Sequence, residues 1–224
     1  LAGKVAVITG AGRPGGLGAA IARRLAEDGA RIVISDIGQV VDEATPLEMI
    51  GAAEDIAQVA AELRACGAEV SAHACDVRQA KQVDALAEHA VARFGAIDIW
   101  VNNAGGLPDA TPRYLTRTPE DRWNAQIDLN LKSVWAGSTA AAKLMDEAGG
   151  VIINISSRTA FGPQRKNGPY AAAKAATNSL TETLSVELAP KIRVNAVAPG
   201  PVPTQNFQES TGISEEQVPA MEKN

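Results

Sequence analysis

A doubly wound α/β fold with one parallel sheet is predicted by three observations. Short apolar runs alternate with helical patterns from end to end, a glycine-rich turn joins the first run to the first helix, and no repeat, low-complexity tract or linker divides the 224 residues. The runs at 4–9, 31–35, 69–74, 97–102, 150–156 and 192–197 read as strands of buried type. The patterns at 16–28, 52–66, 79–94, 119–147 and 169–189 read as helices crossing over right-handedly between them. The longest helix is expected to start with Thr118 as cap and Pro119 at its first position, followed by Asp121. Residues 37–50, which contain Pro46 and lack one periodicity, read as a loop inserted in a single domain spanning 1–224.

Composition narrows the function classes. Hydrophobic residues make up 46% and charged residues 21%, ordinary values for a globular chain. A net charge of −5 with no Lys/Arg run argues against nucleic acid and anionic membrane surfaces. No uninterrupted apolar stretch is long enough to span a bilayer, and Lys4 to Ile8 reads as entering a strand at once, so no signal peptide is expected. Cys66 and Cys75, without a CxxC and with two histidines in the chain, form neither a disulfide framework nor a zinc set. No metal is expected, and a reduced, cytoplasmic setting is the default.

The first crossover carries chemistry. Thr9-Gly10-Ala11-Gly12-Arg13-Pro14-Gly15-Gly16-Leu17-Gly18 follows a strand and opens a helix. Glycines there let the backbone turn and approach a pyrophosphate, whose charge meets the N–H groups of the helix start. Asp36 ends the second strand, where a carboxylate accepts hydrogen bonds from ribose hydroxyls and repels a 2′-phosphate. That favours NAD over NADP. Arg13 pulls the other way, since a guanidinium pairs well with phosphate.

The last third brings the reactive groups. Tyr170 and Lys174 stand i, i+4 in an alanine-rich run and so share one helix face. An ammonium beside a phenol favours the phenolate, so Tyr170 is expected to titrate below its ordinary value of about 10 and to serve as an acid or base near neutrality. Ser157 ends the apolar run Val151 to Ile155 and supplies a hydroxyl upstream of the pair.

Taken together these motifs resemble the short-chain dehydrogenase/reductase family, over nearly the whole chain. Thr9-Gly10 to Gly18 is similar to its TGxxxGxG turn, and Asn102-Asn103-Ala104-Gly105 to its NNAG. Asp76-Val77 resembles the pair whose carboxylate contacts adenine. Asn130 falls where the family has its catalytic asparagine, and Ser157, Tyr170 and Lys174 match its serine and YxxxK. Arg193-Val194-Asn195 and Pro199-Gly200-Pro201-Val202-Pro203-Thr204 match its RVN…PGxxxT segment. The resemblance implies a Rossmann-like fold and an NAD(P)-dependent oxidoreductase. Hydride would pass between nicotinamide and a secondary alcohol or ketone. Tyr170 would exchange the proton, Ser157 would hold the substrate oxygen, Lys174 would hold the nicotinamide ribose, and Asn130 would hold a water leading to solvent. Gly10, Gly12, Arg13, Gly16, Leu17, Gly18, Asp36, Ile37, Asp76, Val77, Asn103, Ala104, Gly105, Tyr170, Lys174, Pro199, Gly200, Val202 and Thr204 would line the cofactor. Arg158, Leu107, Phe161 and Gln164 would wall the substrate, with Arg158 and Arg165 hinting at a polar or anionic one.

The departures are specific. Ala11 to Gly15 puts five residues where the family has three, which is expected to widen the loop. The 37–50 insertion stands beside the adenosine end, where it is expected either to cover the cofactor and slow its exchange or to be a neutral surface excursion. Residues 205–224 read as the start of a substrate flap, with Ser214 and Gln217 in a capping box. No seventh strand follows 192–197, so a longer natural polypeptide is expected, with Val194 and Val197 awaiting cover. Pairing of the two long helices, through Ala136, Gly137, Ala140 and Ala176, is expected to give a homodimer or homotetramer. Two other readings compete: an NADPH-dependent 3-oxoacyl-thioester reductase, disfavoured by Asp36, and an inactive cofactor-binding sensor or subunit, disfavoured by the intact Asn130, Ser157, Tyr170, Lys174 set.

Overall fold

The computed structural model describes residues 1–40, 42, 50–107, 111–145, 147–162 and 165–202. Six parallel strands form one sheet: β1 (Val5–Thr9), β2 (Arg31–Asp36), β3 (Val70–Ala74), β4 (Ile99–Asn102), β5 (Gly150–Ile155) and β6 (Ile192–Val197). Their spatial order is β3-β2-β1-β4-β5-β6, so the chain winds outward from β1, then returns to β1's other side. That reversal leaves a crevice beyond the C-terminal ends of β1 and β4, where ligands bind in open α/β sheets. All six strands stand where the apolar runs predict them.

Alternation within the strands explains the two covered faces. Val5, Val7, Val33 and Trp100 point into one cluster, against α3 (Ala80–Phe94) and α5 (Ser133–Met145). Ala6, Ile8, Ile32 and Ile34 point into the other, against α1 (Leu17–Glu27) and α2 (Ala53–Ala65). Both sets are apolar, so the runs read as continuous rather than alternating.

The predicted 119–147 helix is three pieces: α4 (Glu120–Ile127), a π-turn (Asp128–Lys132) and α5. Pro119, not Thr118, is the residue before its first turn, and the Thr118 hydroxyl instead donates to the Tyr114 carbonyl at 3.3 Å. A hydrogen-bonded turn at Leu115–Arg117 uses Thr118 as its own end, which displaces the cap by one residue. The last helix, α6 (Gly168–Glu187), begins with Pro169 in its first turn.

Two packing expectations are corrected. Ala136, Gly137 and Ala140 are buried against the chain's own sheet and are not available for helix pairing. The outward apolar residues of α5 are Trp135, 50% exposed, and Leu144. Val194 is already buried in the α3/α5 cluster, whereas Val197 is exposed. Among the described residues β6 forms the sheet edge. Thr204 and all of 205–224 lie outside the described residues, as do Gln164 and most of the 37–50 insertion. No helix among the described residues is long and apolar enough to cross a membrane.

Gly137 tests the packing of α5 on β4. A Cβ there would land on Asn102 Oδ1 and lie 2.8 Å from Trp100 Nε1. Gly137→Ala is therefore expected to destabilise the protein by about 1–3 kcal/mol despite alanine's better helix propensity. Urea denaturation of the two proteins measures it.

Candidate active site

The glycine turn is held at the crevice by side chains from β1 and β4. Gly10 turns at φ +64, and a Cβ on it would fall 2.6 Å from Ala104 Cα. The Thr9 hydroxyl accepts from the N–H groups of Asn103 and Ala104, both at 3.1 Å. The Asn103 amide donates to the carbonyls of Thr9 and Gly10, both at 2.9 Å. Asn103 thus acts as a clamp on the turn. The extra residues of the loop fold into a turn closed by Gly16 N–H on the Arg13 carbonyl at 3.1 Å, and α1 starts at Leu17 with no acid in its first turn. An anion there meets the N–H groups of a helix start whose first turn carries no acid.

Asp36 reaches back over this loop. Its carboxylate accepts from the N–H groups of Gly12 (3.0 Å), Ile37 (2.9 Å) and Gly51 (3.0 Å). Burial raises the pKa of Asp36 above the ordinary carboxylate value, and these hydrogen bonds and, last, the Arg13 charge act against that rise. Gly51 closes the far end of the insertion, so the insertion's base is bonded to this carboxylate. Asp76 is buried nearby and is gripped by Arg78 through Nε at 2.9 Å and Nη2 at 2.9 Å. Arg78 also donates to Asp42 at 2.8 Å, joining Asp76 to the insertion. Burial first, then the negative charges of Asp76 and Asp36, push the Cys75 thiol up to about 12. The two carboxylates therefore converge at one end of the crevice. Arg78 had no motif to announce it: an Arg two residues past an Asp is an ordinary surface pattern. Val77 is buried behind them.

At the other end stand Ser157, Tyr170 and Lys174. Lys174 is buried to 3% exposure on α6 and donates to the Ile155 carbonyl at 2.8 Å. Its ammonium lies 5.7 Å from the centre of the Tyr170 ring. Burial lowers Lys174 to about 8. The expected lowering of Tyr170 does not occur: burial raises its phenol, and a hydrogen bond with the Ser157 hydroxyl is the opposing influence. The physical reason is that both groups are desolvated, and the ammonium is directed at a backbone carbonyl.

Asn130 is fully buried in the π-turn, and its side chain is engaged by backbone. Its Oδ1 accepts from Gly106 N–H and its Nδ2 donates to the Gly106 carbonyl, both at 2.9 Å. Gln126 Oε1 accepts a further bond from it at 3.0 Å, and Thr177 on α6 donates to its main-chain carbonyl at 3.1 Å. Gly105 fits between Asn130 and Lys174, where a Cβ would fall 2.9 Å from Oδ1 and 3.3 Å from Nζ. Gln126 and Thr177 were invisible as site residues in the sequence because their partners come from distant elements. Pro199 accepts from Arg158 N–H at 2.9 Å beside Ser157, with Gly200 exposed and Val202 half-buried beyond it. Phe161 is 74% exposed at the rim. Leu107 is half-buried after the NNAG segment.

A family model described as short chain dehydrogenase matches residues 4–212. The chain belongs to the short-chain dehydrogenases. It is 40% identical over 207 residues to 3beta-hydroxysteroid dehydrogenase 1 of Eggerthella lenta, covering 91% of this chain and 72% of that one. An uncharacterised oxidoreductase of Methylorubrum extorquens is 38% identical over 221 residues, 98% of this chain and 81% of its own. Among solved structures, carveol dehydrogenase from Mycobacterium avium in complex with NAD superposes with a TM-score of 0.86 at 34% identity, over 93% of this chain and 74% of that one. A 7 alpha-hydroxysteroid dehydrogenase complexed with NADH and 7-oxo glycochenodeoxycholic acid gives 0.84 at 33%, over 99% and 79%. As in other short-chain dehydrogenases, a nicotinamide cofactor suits the crevice: a glycine turn and an acid-free helix start face one side, and a buried ammonium with two hydroxyls faces the other.

Lys174 makes a stability prediction. Its ordinary value is 10.5 and its folded value is about 8. Between those values the unfolded chain holds a proton that the folded chain has released, so stability rises with pH across that window. Lys174→Met removes this slope. Urea midpoints at about pH 7.5 and about pH 9.5 should rise for the parent relative to the variant, by up to a few kcal/mol in stability. Equal pH dependence in both would contradict the burial of an ionisable ammonium.

Proposed function

We propose that the protein is an NAD(H)-dependent oxidoreductase that interconverts a secondary alcohol and a ketone. The observation that carries this reading is the buried Lys174, which donates to the Ile155 carbonyl with its ammonium 5.7 Å from the Tyr170 ring, at the crevice that the glycine turn also faces. The named acts of its relatives, on carveol and on steroid hydroxyls, support a secondary alcohol on a ring.

The cofactor supplies the hydride acceptor or donor. Tyr170 gives its phenolic proton to a carbonyl oxygen, or takes one from a hydroxyl. Ser157 donates a hydrogen bond to the same oxygen and so meets charge as it develops. Lys174, held by the Ile155 carbonyl, places a positive charge beside the phenol and titrates near the pH at which the phenol must work. Asn130 fixes the backbone after β4, which forms the wall of the site opposite α6. Asp36, with its carboxylate fixed by three N–H groups at the end of β2, disfavours a 2′-phosphate by charge repulsion. Burial raises the Asp36 pKa on balance, and the Arg13 charge is the least of the influences that oppose it. The exposed Trp135 and Leu144 on α5 and Val186 on α6 support self-association through those helices.

Tyr170→Phe keeps the ring and removes the transferable proton. It should bind NADH as the parent does and lose roughly 10²–10⁴ in kcat. Retention of most of the turnover would remove Tyr170 from proton transfer. Asp36→Ala should shift the ratio of NADH to NADPH affinity toward NADPH, read by fluorescence titration of each reduced coenzyme. Preference of the unsubstituted protein for NADPH would reverse the cofactor assignment.

A further inference from the structure

One amide near Tyr170 has its direction fixed by backbone groups. Gly106 N–H can only donate and the Gly106 carbonyl can only accept, so their bonds to Asn130, both at 2.9 Å, identify its Oδ1 and its Nδ2. Asn130 is fully buried, and its Nδ2 also donates to the Gln126 main-chain carbonyl at 3.2 Å and to Gln126 Oε1 at 3.0 Å. An amino group in the place of that oxygen would set donor against donor. Gln126 is therefore obliged to present its oxygen to Asn130 and to turn its own NH2 away.

Gln126 stands in α4 and is only 7% exposed. It lines a cavity of about 40 Å³ that Tyr170 and Asn167 also line. Its Nε2 has no hydrogen-bond partner among the described residues, nor is it one of the polar atoms sealed from solvent. The opening left to that amino group is the cavity. A donor held so deep in a protein is costly to leave unpaired, and here its direction cannot be reversed without breaking the bond to Asn130.

We propose that Gln126 is a substrate-contact residue, whose Nε2 donates to a second, uncharged oxygen of the substrate in the cavity beside Tyr170. Because it concerns a substrate, this assignment rests on the proposed oxidoreduction at Tyr170. It narrows that reading to a class: alcohols and ketones with an ether or carbonyl oxygen near the reacting carbon. The cavity holds a group at least the size of a water, which such an oxygen is. A site that donates to a substrate oxygen rejects the analogue lacking it, because the donor is then stranded. The other end of the same amide braces Asn130, so one side chain joins the far oxygen of the substrate to the wall after β4.

Tetrahydropyran-3-one and tetrahydropyran-4-one test this against cyclohexanone, from which each differs by one ring oxygen without charge and with little change of shape. Binding is followed by ligand-observed NMR titration in the presence of NAD, where no ketone can turn over, and kcat/KM is then compared with NADH. At least one ether ketone should bind the parent about tenfold more tightly than cyclohexanone, with a kcat/KM advantage of similar size. Gln126→Glu keeps an oxygen for Asn130 and, at about pH 8, well above the ordinary carboxylate range, replaces the donor by an acceptor. Gln126→Met removes both. In each variant the preference should fall to about one or below. Equal binding of all three ketones by the parent, or an ether preference that survives both substitutions, overturns the contact. A preference lost in Gln126→Met but kept in Gln126→Glu belongs to the brace on Asn130 and overturns it too. Reduction of all three ketones without preference removes the contact and leaves the oxidoreductase reading standing. A binding preference lost in both variants, with no reduction of any ketone, keeps the contact and removes the oxidoreductase reading.

Discussion

A directed chain of buried hydrogen bonds sets the geometry on which the rest of the site depends. Trp100 Nε1 can only donate, and it donates to Asn102 Oδ1 at 2.7 Å. That fixes which way the Asn102 amide faces, so its Nδ2 donates to Asn154 Oδ1 at 2.8 Å. Asn154 Nδ2 in turn donates to the Thr181 hydroxyl at 2.9 Å, and Thr181 donates to the Thr177 carbonyl at 2.7 Å. The β4–β5 register places Asn102 directly beside Asn154. The chain thus runs from a fully buried indole across two strands into α6, and leaves one sense of rotation for the helix that carries Tyr170 and Lys174. Each bond contributes about 1 kcal/mol net, but any orphaned member would cost about 1–3 kcal/mol. The arrangement is therefore held more by the penalty for breaking it than by the gain from making it.

That rotation decides the electrostatics. With Ala173, Lys174, Thr177 and Thr181 turned inward, the ammonium is stripped of water and takes the Ile155 carbonyl as its partner. Burial then dominates both reactive groups, lowering the lysine and raising the tyrosine. The two values separate, the phenol rising from its ordinary 10.0 and the ammonium falling from 10.5 to about 8, so the lysine is the group of the pair that titrates nearer neutrality. The end of the crevice beside Asp36 and Asp76 is arranged in the contrary manner. There two carboxylates are brought together, Asp36 held by backbone N–H groups and Asp76 by Arg78.

Strand and helix positions were legible in the sequence because the signals are local: an apolar run such as Val151 to Ile155, or an alanine-rich run around Tyr170. The grouping of Ser157, Tyr170 and Lys174 was legible because spacing on one helix and the end of one strand suffice to bring them together. What was not legible depends on contacts between distant elements. The π-turn that buries Asn130 answers to Gly106 and Thr177, neither of which its own neighbours announce. The Arg78 bridge reaches Asp42, and the inward placement of Ala136, Gly137 and Ala140 follows from the close packing of α5 on β4. Composition suggests that small residues mark a helix-pairing face, but here the same smallness serves the sheet beneath. Burial also reversed the sign expected for Tyr170, because desolvation is a property of the assembled site and not of the i, i+4 pair.

The foot of the insertion carries a consequence for how this protein varies among its kin. Gly38 N–H donates to the Gly51 carbonyl at 3.0 Å, Gly38 forms a parallel bridge with Ala52, and Gly51 N–H donates to Asp36. The two ends of the excursion are thus stitched together before the chain returns to α2. For a segment closed in this way, each doubling of its length adds only about 0.6 kcal/mol of closure entropy. Evolution can therefore lengthen, shorten or exchange the residues between those two glycines as a cassette, while the carboxylate beneath stays where it is.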